Sequence, residues 1–166
     1  MLRTGGRIIL RCLVVANETL GGVALMQTVS RRASEGMHIH VVVPATEPSD
    51  TPAPAGSTAA DTARRRLREA LERMRAAGIE ATGTVGAADP MQVIRDALAA
   101  NRYEEIVIST LPAGASRWVR MDLPHRALRE FKLPIEWIEA RSESPDEATT
   151  VHLELPKTAQ DLGSRL

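Results

Sequence analysis

Residues 109–120 contain hydroxyl and guanidinium groups at a spacing that could bind an anion. Ser116 is followed directly by Arg117, and Arg120 comes three residues later. A guanidinium group binds phosphate in a forked geometry, and a neighbouring hydroxyl can donate a further hydrogen bond. Alternatively, both arginines are solvent-exposed surface residues that bind no anion. The segment therefore indicates either an anion site or a polar surface loop.

Two other clusters of polar residues could carry chemistry. His38 and His40 lie two residues apart, hence on one face of a strand, but no third metal ligand at a useful spacing accompanies them. The basic run at 64–68 could contact nucleic acid. Glu69 and Glu72 interleave with it, which favours a solvated helix face with ion pairs. We expect no metal site and no nucleic-acid partner.

Sequence motifs of covalent or phosphoryl-transfer catalysis are absent. There is no Gly-x-Ser-x-Gly elbow and no Walker loop. Residues 17–22 lack the serines and the aspartate of the Ser-Gly-Gly-x-Asp-Ser loop that some nucleotide-hydrolysing enzymes carry. The single cysteine, Cys12, lies in an apolar run, which predicts a buried, inert thiol. We expect a protein that is not an enzyme.

Apolar runs alternate with amphipathic segments along the chain, which predicts five strands and four helices. Thr58 with Asp61, and Asp89 before Pro90, are typical of helix starts. Asp122 is interpreted as the N-cap of the last helix. The predicted strands are 8–16, 39–43, 79–85, 104–109 and 134–139. The first predicted helix covers 21–33, the second follows the cap at Thr58 and terminates at Gly78, the third starts at Asp89-Pro90 with its buried face at 93–98, and the fourth covers 122–131.

This order predicts an α/β fold of three layers, Rossmann-like, with a five-stranded parallel sheet and helices on both faces. Ligands of such sheets bind beyond the carboxyl ends of the strands, where the strand order reverses. We therefore expect the site among residues 16–22, 44–57, 86–89 and 110–122.

Length and composition favour one globular domain. The 166 residues are 43% hydrophobic and 25% charged. We assign 1–141 to the domain, with its core at 8–139 and a flexible loop at 45–57. The tail, 142–166, is polar, and within it apolar and polar residues alternate at 151–155. That pattern predicts a short added strand, serving as an edge cap or a subunit contact, unless the tail is disordered.

The composition also indicates which classes of partner and which cellular compartment to expect. The formal net charge is zero and aromatic residues make up 2%, which argues against nucleic-acid partners. No apolar run reaches the roughly 18 residues that a membrane span needs. A single cysteine fits a reducing compartment, so we expect a cytoplasmic protein without a membrane partner. The preference for arginine over lysine is typical of a GC-rich bacterial genome.

Four segments together resemble the universal stress protein family. They are Leu-Val-Val-Ala-Asn at 13–17, His-Val-Val-Val-Pro at 40–44, Gly-Ala-Ala-Asp-Pro at 86–90, and Ile-Val-Ile-Ser-Thr at 106–110 with the loop and helix that follow. The resemblance covers about 8–139 and implies a strand order of 3-2-1-4-5. It also implies frequent homodimers and, in some members, binding of ATP or AMP.

The resemblance implies a nucleotide site, but the phosphate loop departs from the pattern. ATP-binding members have Gly-x-x-Gly, about nine residues, then Gly-Ser or Gly-Thr. Here only Gly114 remains, Pro112 lacks an N–H group, and Met-Asp stands at the later position. The candidate nucleotide-binding residues are Ala16, Asn17, Val43, Thr110, Gly114, Ser116 and Arg117. Asn17 replaces the family's Asp, and its alternative is a turn residue; Val43 could pack an adenine edge or simply fill the core.

The sequence thus predicts a non-enzymatic stress-response module that binds an adenine nucleotide or another small anion weakly. The alternative is an interaction or dimerisation module without nucleotide binding. In that case Leu111 and Pro112 would fill the cleft. An exposed fifth strand and residues 151–155 would pair with a partner.

Overall fold

The computed structural model describes residues 8–46, 58–112, 117–140 and 148–155. The elements in these ranges follow the predicted alternation of strands and helices. In chain order they are β1 (Arg11–Val15), α1 (Val23–Ser34), β2 (His38–Pro44), α2 (Ala59–Ala76), β3 (Ala81–Gly86), α3 (Pro90–Ala100), β4 (Glu105–Thr110), α4 (Arg117–Arg120), α5 (Leu123–Phe131), β5 (Ile135–Ala140) and β6 (Ala148–Leu153).

The strands form one sheet in the order β3-β2-β1-β4-β5-β6. The first five strands pair in parallel, and β6 pairs antiparallel with β5. The α/β fold class and the strand order of the first five strands are therefore confirmed. The sheet has six strands where five were predicted, because the chain returns after β5 and adds β6 to its outer edge. The prediction of an exposed fifth strand is consequently wrong.

Two hydrophobic cores lie on opposite faces of the sheet. The chain steps from β1 to β3 in one direction and crosses back to β4 and β5, so right-handed connections place α1 and α2 on one face and α3 and α5 on the other. Successive residues of β1 serve different cores: Cys12 and Val14 pack under α1 and α2, whereas Leu13 and Val15 pack under α3 and α5. This is why β1 reads as a continuous apolar run.

Two helix starts have the local structure that the sequence predicts. Thr58 and Asp61 form a reciprocal capping box at α2. The Asp89 side chain accepts a hydrogen bond from the backbone N–H of Met91 at 3.0 Å, with Pro90 as the first residue of α3. Both caps satisfy backbone donors that have no partner within the helix.

Other boundaries differ from the predictions. Strand β1 begins at Arg11, opposite the first residue of β2, so the predicted strand 8–16 is too long; Ile8 and Ile9 are 84% and 56% exposed. The added strand lies at Ala148–Leu153, offset from 151–155. The short helix α4 lies between the predicted strand 104–109 and the predicted helix 122–131, where no helix was predicted.

Asp122 occupies the N-cap position of α5, but it does not cap the helix with its side chain. Its backbone is left-handed, with φ of 53°. Its carboxylate instead lies 2.6 Å from Nδ1 of His125 and 3.8 Å from a guanidinium nitrogen of Arg129. The predicted side-chain role of Asp122 is therefore wrong, because the backbone turn directs the carboxylate to the helix flank.

A buried ionic cluster lies where β4 and β5 begin. Glu136 is 2% exposed and accepts hydrogen bonds from Arg31 at 2.9 Å and from Arg32 at 2.6 Å. Arg32 also donates to Glu105. Burial opposes ionisation of Arg32, but Glu105 and Glu136 outweigh it and raise the pKa of this guanidinium. The cluster connects the C-terminal end of α1 to β4 and β5 through ion pairs.

Candidate functional site

The strand order reverses between β1 and β4, whose carboxyl ends lie side by side. Val15 is aligned with Ile108 across this pair. Ala16 and Asn17 follow β1, while Ser109 and Thr110 complete β4. Ligands of doubly wound sheets bind at such a reversal, so this is where the sequence predicts a site. We call the region between the carboxyl ends of β1 and β4 the crevice.

Asn17 forms the β1 side of the crevice and is only 6% exposed. Its Nδ2 donates to the carbonyl oxygen of Pro44 at 2.8 Å and to Oγ1 of Thr46 at 3.2 Å. Its Oδ1 accepts a hydrogen bond from Nη1 of Arg66. The amide thus connects β1, the segment after β2, and α2. Its hydrogen-bonding groups are already engaged within the protein.

Thr110 forms the β4 side of the crevice and is also buried. Its Oγ1 accepts a hydrogen bond from Nε1 of Trp137 at 3.0 Å. The Trp137 ring meets the His125 ring edge to face, with centroids 6.2 Å apart. Because His125 in turn contacts Asp122, two polar contacts and one ring contact link β4 through β5 to the start of α5.

The other candidate residues divide into two groups. Ala16 and Val43 are fully buried and belong to the core under α1 and α2, so neither side chain offers surface to a ligand in this conformation. Gly114 and Ser116 lie outside the described residues. Arg117 begins α4, which follows the β4 end of the crevice; the position of its side chain is not described.

Arg66 contacts the candidate site but is not among the residues that the sequence predicts for it. It belongs to the basic run interpreted as solvated, yet it is half-buried and contacts Asn17. A signal was present in the sequence, because Arg66 lies four residues from both Thr62 and Ala70, on the buried face of α2. Arg66 brings a guanidinium group to the β1 side of the crevice.

Two buried hydroxyl groups near this side have no hydrogen-bond partner among the described residues. They belong to Thr19, two residues after Asn17, and to Thr62, one helical turn before Arg66. Buried polar atoms are usually hydrogen-bonded, so such a pair marks a region with unused hydrogen-bonding capacity.

The two strand histidines contact threonines across the sheet. Thr82 Oγ1 lies 3.1 Å from Nε2 of His38 and 2.7 Å from Nδ1 of His40. Burial, then the charges of His38 and Arg11, lowers the pKa of His40. In the part of the chain that the structure describes, no group of three His, Cys, Asp or Glu residues could hold a metal ion. Nor does any helix in those ranges have the length and apolarity of a bilayer span.

No protein-family profile matches the sequence. No curated protein matches it either. The comparison that finds relatives is the one with solved structures.

A universal stress protein in complex with cAMP has 18% identity and a TM-score of 0.52 over 77% of this chain and 95% of its own. The 4-carboxy-2-hydroxymuconate hydratase of Pseudomonas putida has 16% identity and a TM-score of 0.53 over 79% of this chain. This chain spans 66% of the hydratase's length. A deacetylase of teicoplanin biosynthesis has 15% identity and a TM-score of 0.53, covering 89% and 70% of the two chains.

These proteins have different activities, and their identities to this chain are all low. What they share with it is the doubly wound arrangement of strands and helices. Function belongs to the sites placed on such a fold. The comparisons therefore establish that the chain has this Rossmann-like α/β fold, which the universal stress protein shares.

Proposed function

We propose that this chain is a non-enzymatic regulatory module of the universal stress protein type, which binds an adenine nucleotide or another small anion in the crevice between β1 and β4. The observation that carries the proposal is the strand reversal, which brings Asn17 and Thr110 to neighbouring strand ends. A solved universal stress protein of the same fold holds cAMP, an adenine nucleotide.

Charge and hydrogen-bonding capacity support an anionic ligand. Arg66 lies against Asn17, and Arg117 begins the helix that follows β4. A guanidinium group attracts phosphate and can bind it in a forked geometry. The unpartnered hydroxyls of Thr19 and Thr62 add donors on the β1 side.

The same geometry explains why binding would be weak. Asn17 already donates to Pro44 and Thr46, so a ribose or base would have to replace these contacts. Exchanging one set of hydrogen bonds for another yields little net free energy. Asp122, which is exposed near the start of α5, adds a negative charge that repels phosphate.

Calorimetric titration and thermal unfolding with ATP, AMP and cAMP test the proposal. A bound nucleotide raises the unfolding temperature according to its concentration relative to Kd. Arg117→Ala should weaken binding, whereas Arg126→Ala, an exposed residue of α5, should leave it unchanged. Absence of heat and of a thermal shift with all three nucleotides would remove the ligand from the proposal. Turnover of ATP with magnesium would remove the non-enzymatic assignment.

The second candidate is a dimerisation module without nucleotide binding, and β6 favours it. This strand lies at one end of the sheet, and no other described strand pairs with its outer edge. Val151 on β6 is 37% exposed. An open edge with an exposed apolar side chain can pair with a second copy. Light scattering separates the candidates: a dimer that Val151→Pro converts to a monomer supports pairing through β6, and an unchanged mass opposes it.

A further inference from the structure

The opposite end of the sheet is formed by β3, which has a neighbour on one side only. Its residues pair with β2 from Ala81 to Gly86, and within the described ranges no strand lies on its other side. Alternate N–H and C=O groups of a parallel edge strand point away from the sheet. Such an edge can accept an additional strand from another chain.

Helix α2 packs on this edge strand at a position where residue 83 is a glycine. A Cβ atom at Gly83 would lie 2.5 Å from Cδ1 of Leu67 and 3.0 Å from the carbonyl oxygen of Val41. Without that atom, α2 packs directly on β3 through Leu67. The outer flank of α2 is thereby brought alongside the open edge of the strand.

A basic groove of about 610 Å³ runs between α2 and β3. Its charged lining residues recur at helical spacing along α2: Arg64, Arg68, Glu72 and Arg75. Arg64 is paired with Asp61 at 3.0 Å. Arg68 and Arg75 form no ion pair with any other residue that the structure describes. The groove is therefore net positive, and two of its guanidinium groups are available to a partner.

We propose that the β3 edge, with the basic groove beside it, is a docking site for an acidic polypeptide segment in extended conformation. The segment adds to the sheet next to β3, with alternate carboxylates directed towards Arg68 and Arg75. These arginines are seven residues apart, about 10.5 Å along the helix axis. Residues two and four apart on a strand are separated by about 6.6 and 13 Å, so alternate acidic side chains bring a carboxylate near each arginine.

A second copy of this chain fits the groove less well than an acidic partner does. Among the described strands, β3 and β6 have an open edge, with the sequences Ala-Thr-Gly-Thr-Val-Gly and Ala-Thr-Thr-Val-His-Leu, and neither carries a carboxylate. Charge complementarity therefore favours another protein with alternating Asp or Glu residues. The site is also separate from the β1–β4 crevice, since β3 lies at one end of the sheet and β1 and β4 lie at its centre.

Fluorescence polarisation with the full chain tests this proposal. The probe is a fluorescein-labelled peptide of about nine residues in which Glu alternates with Val; a second peptide has Lys in place of Glu. We expect the Glu peptide to bind, more weakly as salt rises, and the Lys peptide not to bind. Equal binding of both peptides, or no binding of the Glu peptide, would overturn the proposal.

Charge reversals on α2 locate the contact. Arg68→Glu and Arg75→Glu should each weaken binding of the Glu peptide by about tenfold. The matched control is Arg65→Glu, an exposed arginine of the same helix that does not line the groove, and it should change Kd less than twofold. Thermal unfolding verifies that the variants are folded. Equal losses in all three variants would show general attraction to the helix and contradict the site.

Backbone pairing is tested separately from charge. Methylation of alternate peptide nitrogens, in either register, removes the donors needed for a strand. We expect one of the two methylated Glu peptides to lose binding, and the unmethylated one to slow hydrogen exchange at 81–86. If both methylated peptides bind as well as the unmethylated Glu peptide, the assignment to an acidic strand is wrong. It is also wrong if sedimentation shows that the protein forms a dimer through β3.

Discussion

The side chain of Asn17 holds the carbonyl group of Pro44 through a hydrogen bond of 2.8 Å, which joins the ends of β1 and β2. This contact requires a donor, and a carboxylate has none. The family that the sequence resembles carries Asp at this position. The asparagine is therefore suited to a strand end that is closed by internal contacts with Pro44 and Arg66.

Replacing this amide with a carboxylate should destabilise the protein. Asn17→Asp places a negative oxygen against the Pro44 carbonyl, and leaving a buried group unsatisfied costs about 1–3 kcal/mol of unfolding free energy. Urea denaturation measures the loss. Gln27→Glu makes the same chemical change at an exposed position of α1 and should stay within about 0.5 kcal/mol of the original. Equal stability of Asn17→Asp and the original protein would contradict this account.

The two arginines at the end of α1 should contribute unequally to stability. Arg32 is 14% exposed and binds both Glu105 and Glu136, whereas Arg31 is 54% exposed and binds Glu136 alone. Arg32→Met removes the guanidinium partner of Glu105 and leaves Glu136 with the more exposed Arg31 alone, so it should cost about 3–5 kcal/mol. Arg31→Met should cost about 0–1 kcal/mol. Chemical denaturation of both variants gives the comparison, and similar losses would refute the assigned roles.

The thiol of Cys12 should be unreactive in the folded protein. Cys12 is fully buried, and burial, reinforced by Glu105, raises its pKa far above the ordinary range. The nucleophilic thiolate is therefore scarcely populated at pH 8. An aromatic disulfide reagent should label the native protein only at the rate of unfolding and label the denatured chain within seconds. Rapid labelling under native conditions would show that the thiol is accessible.

Stability should decrease in mild acid partly because of His40. Burial, His38 and Arg11 lower the folded-state pKa of His40, while an unfolded histidine has a pKa of about 6.5. The unfolded state therefore binds the proton first. The stability that neutral His40 contributes to the folded state is lost as pH falls below about 6.5. Urea denaturation at pH 7.5 and 5.5 should show a smaller difference for His40→Gln than for the original protein. An identical pH dependence in the two proteins would rule out this contribution.

The order and type of the main elements could be predicted from the sequence, because their signals are local. Continuous apolar runs predicted the buried parallel strands, since both faces of each strand are covered by helices. Thr58, Asp61 and Asp89 marked helix starts because a cap involves residues two or three apart. The burial of Cys12 followed from its apolar neighbours in the same strand.

Contacts between residues that are distant in the sequence could not be predicted and became visible in the folded chain. The sequence separation is 49 between Asn17 and Arg66, and 105 between Arg31 and Glu136. Such contacts depend on how the connections cross the sheet, which no local pattern encodes. The antiparallel pairing of β6 with β5 is of the same kind. A lone alternating segment can predict a strand, but its neighbour and direction depend on which sheet edge is open when the chain returns.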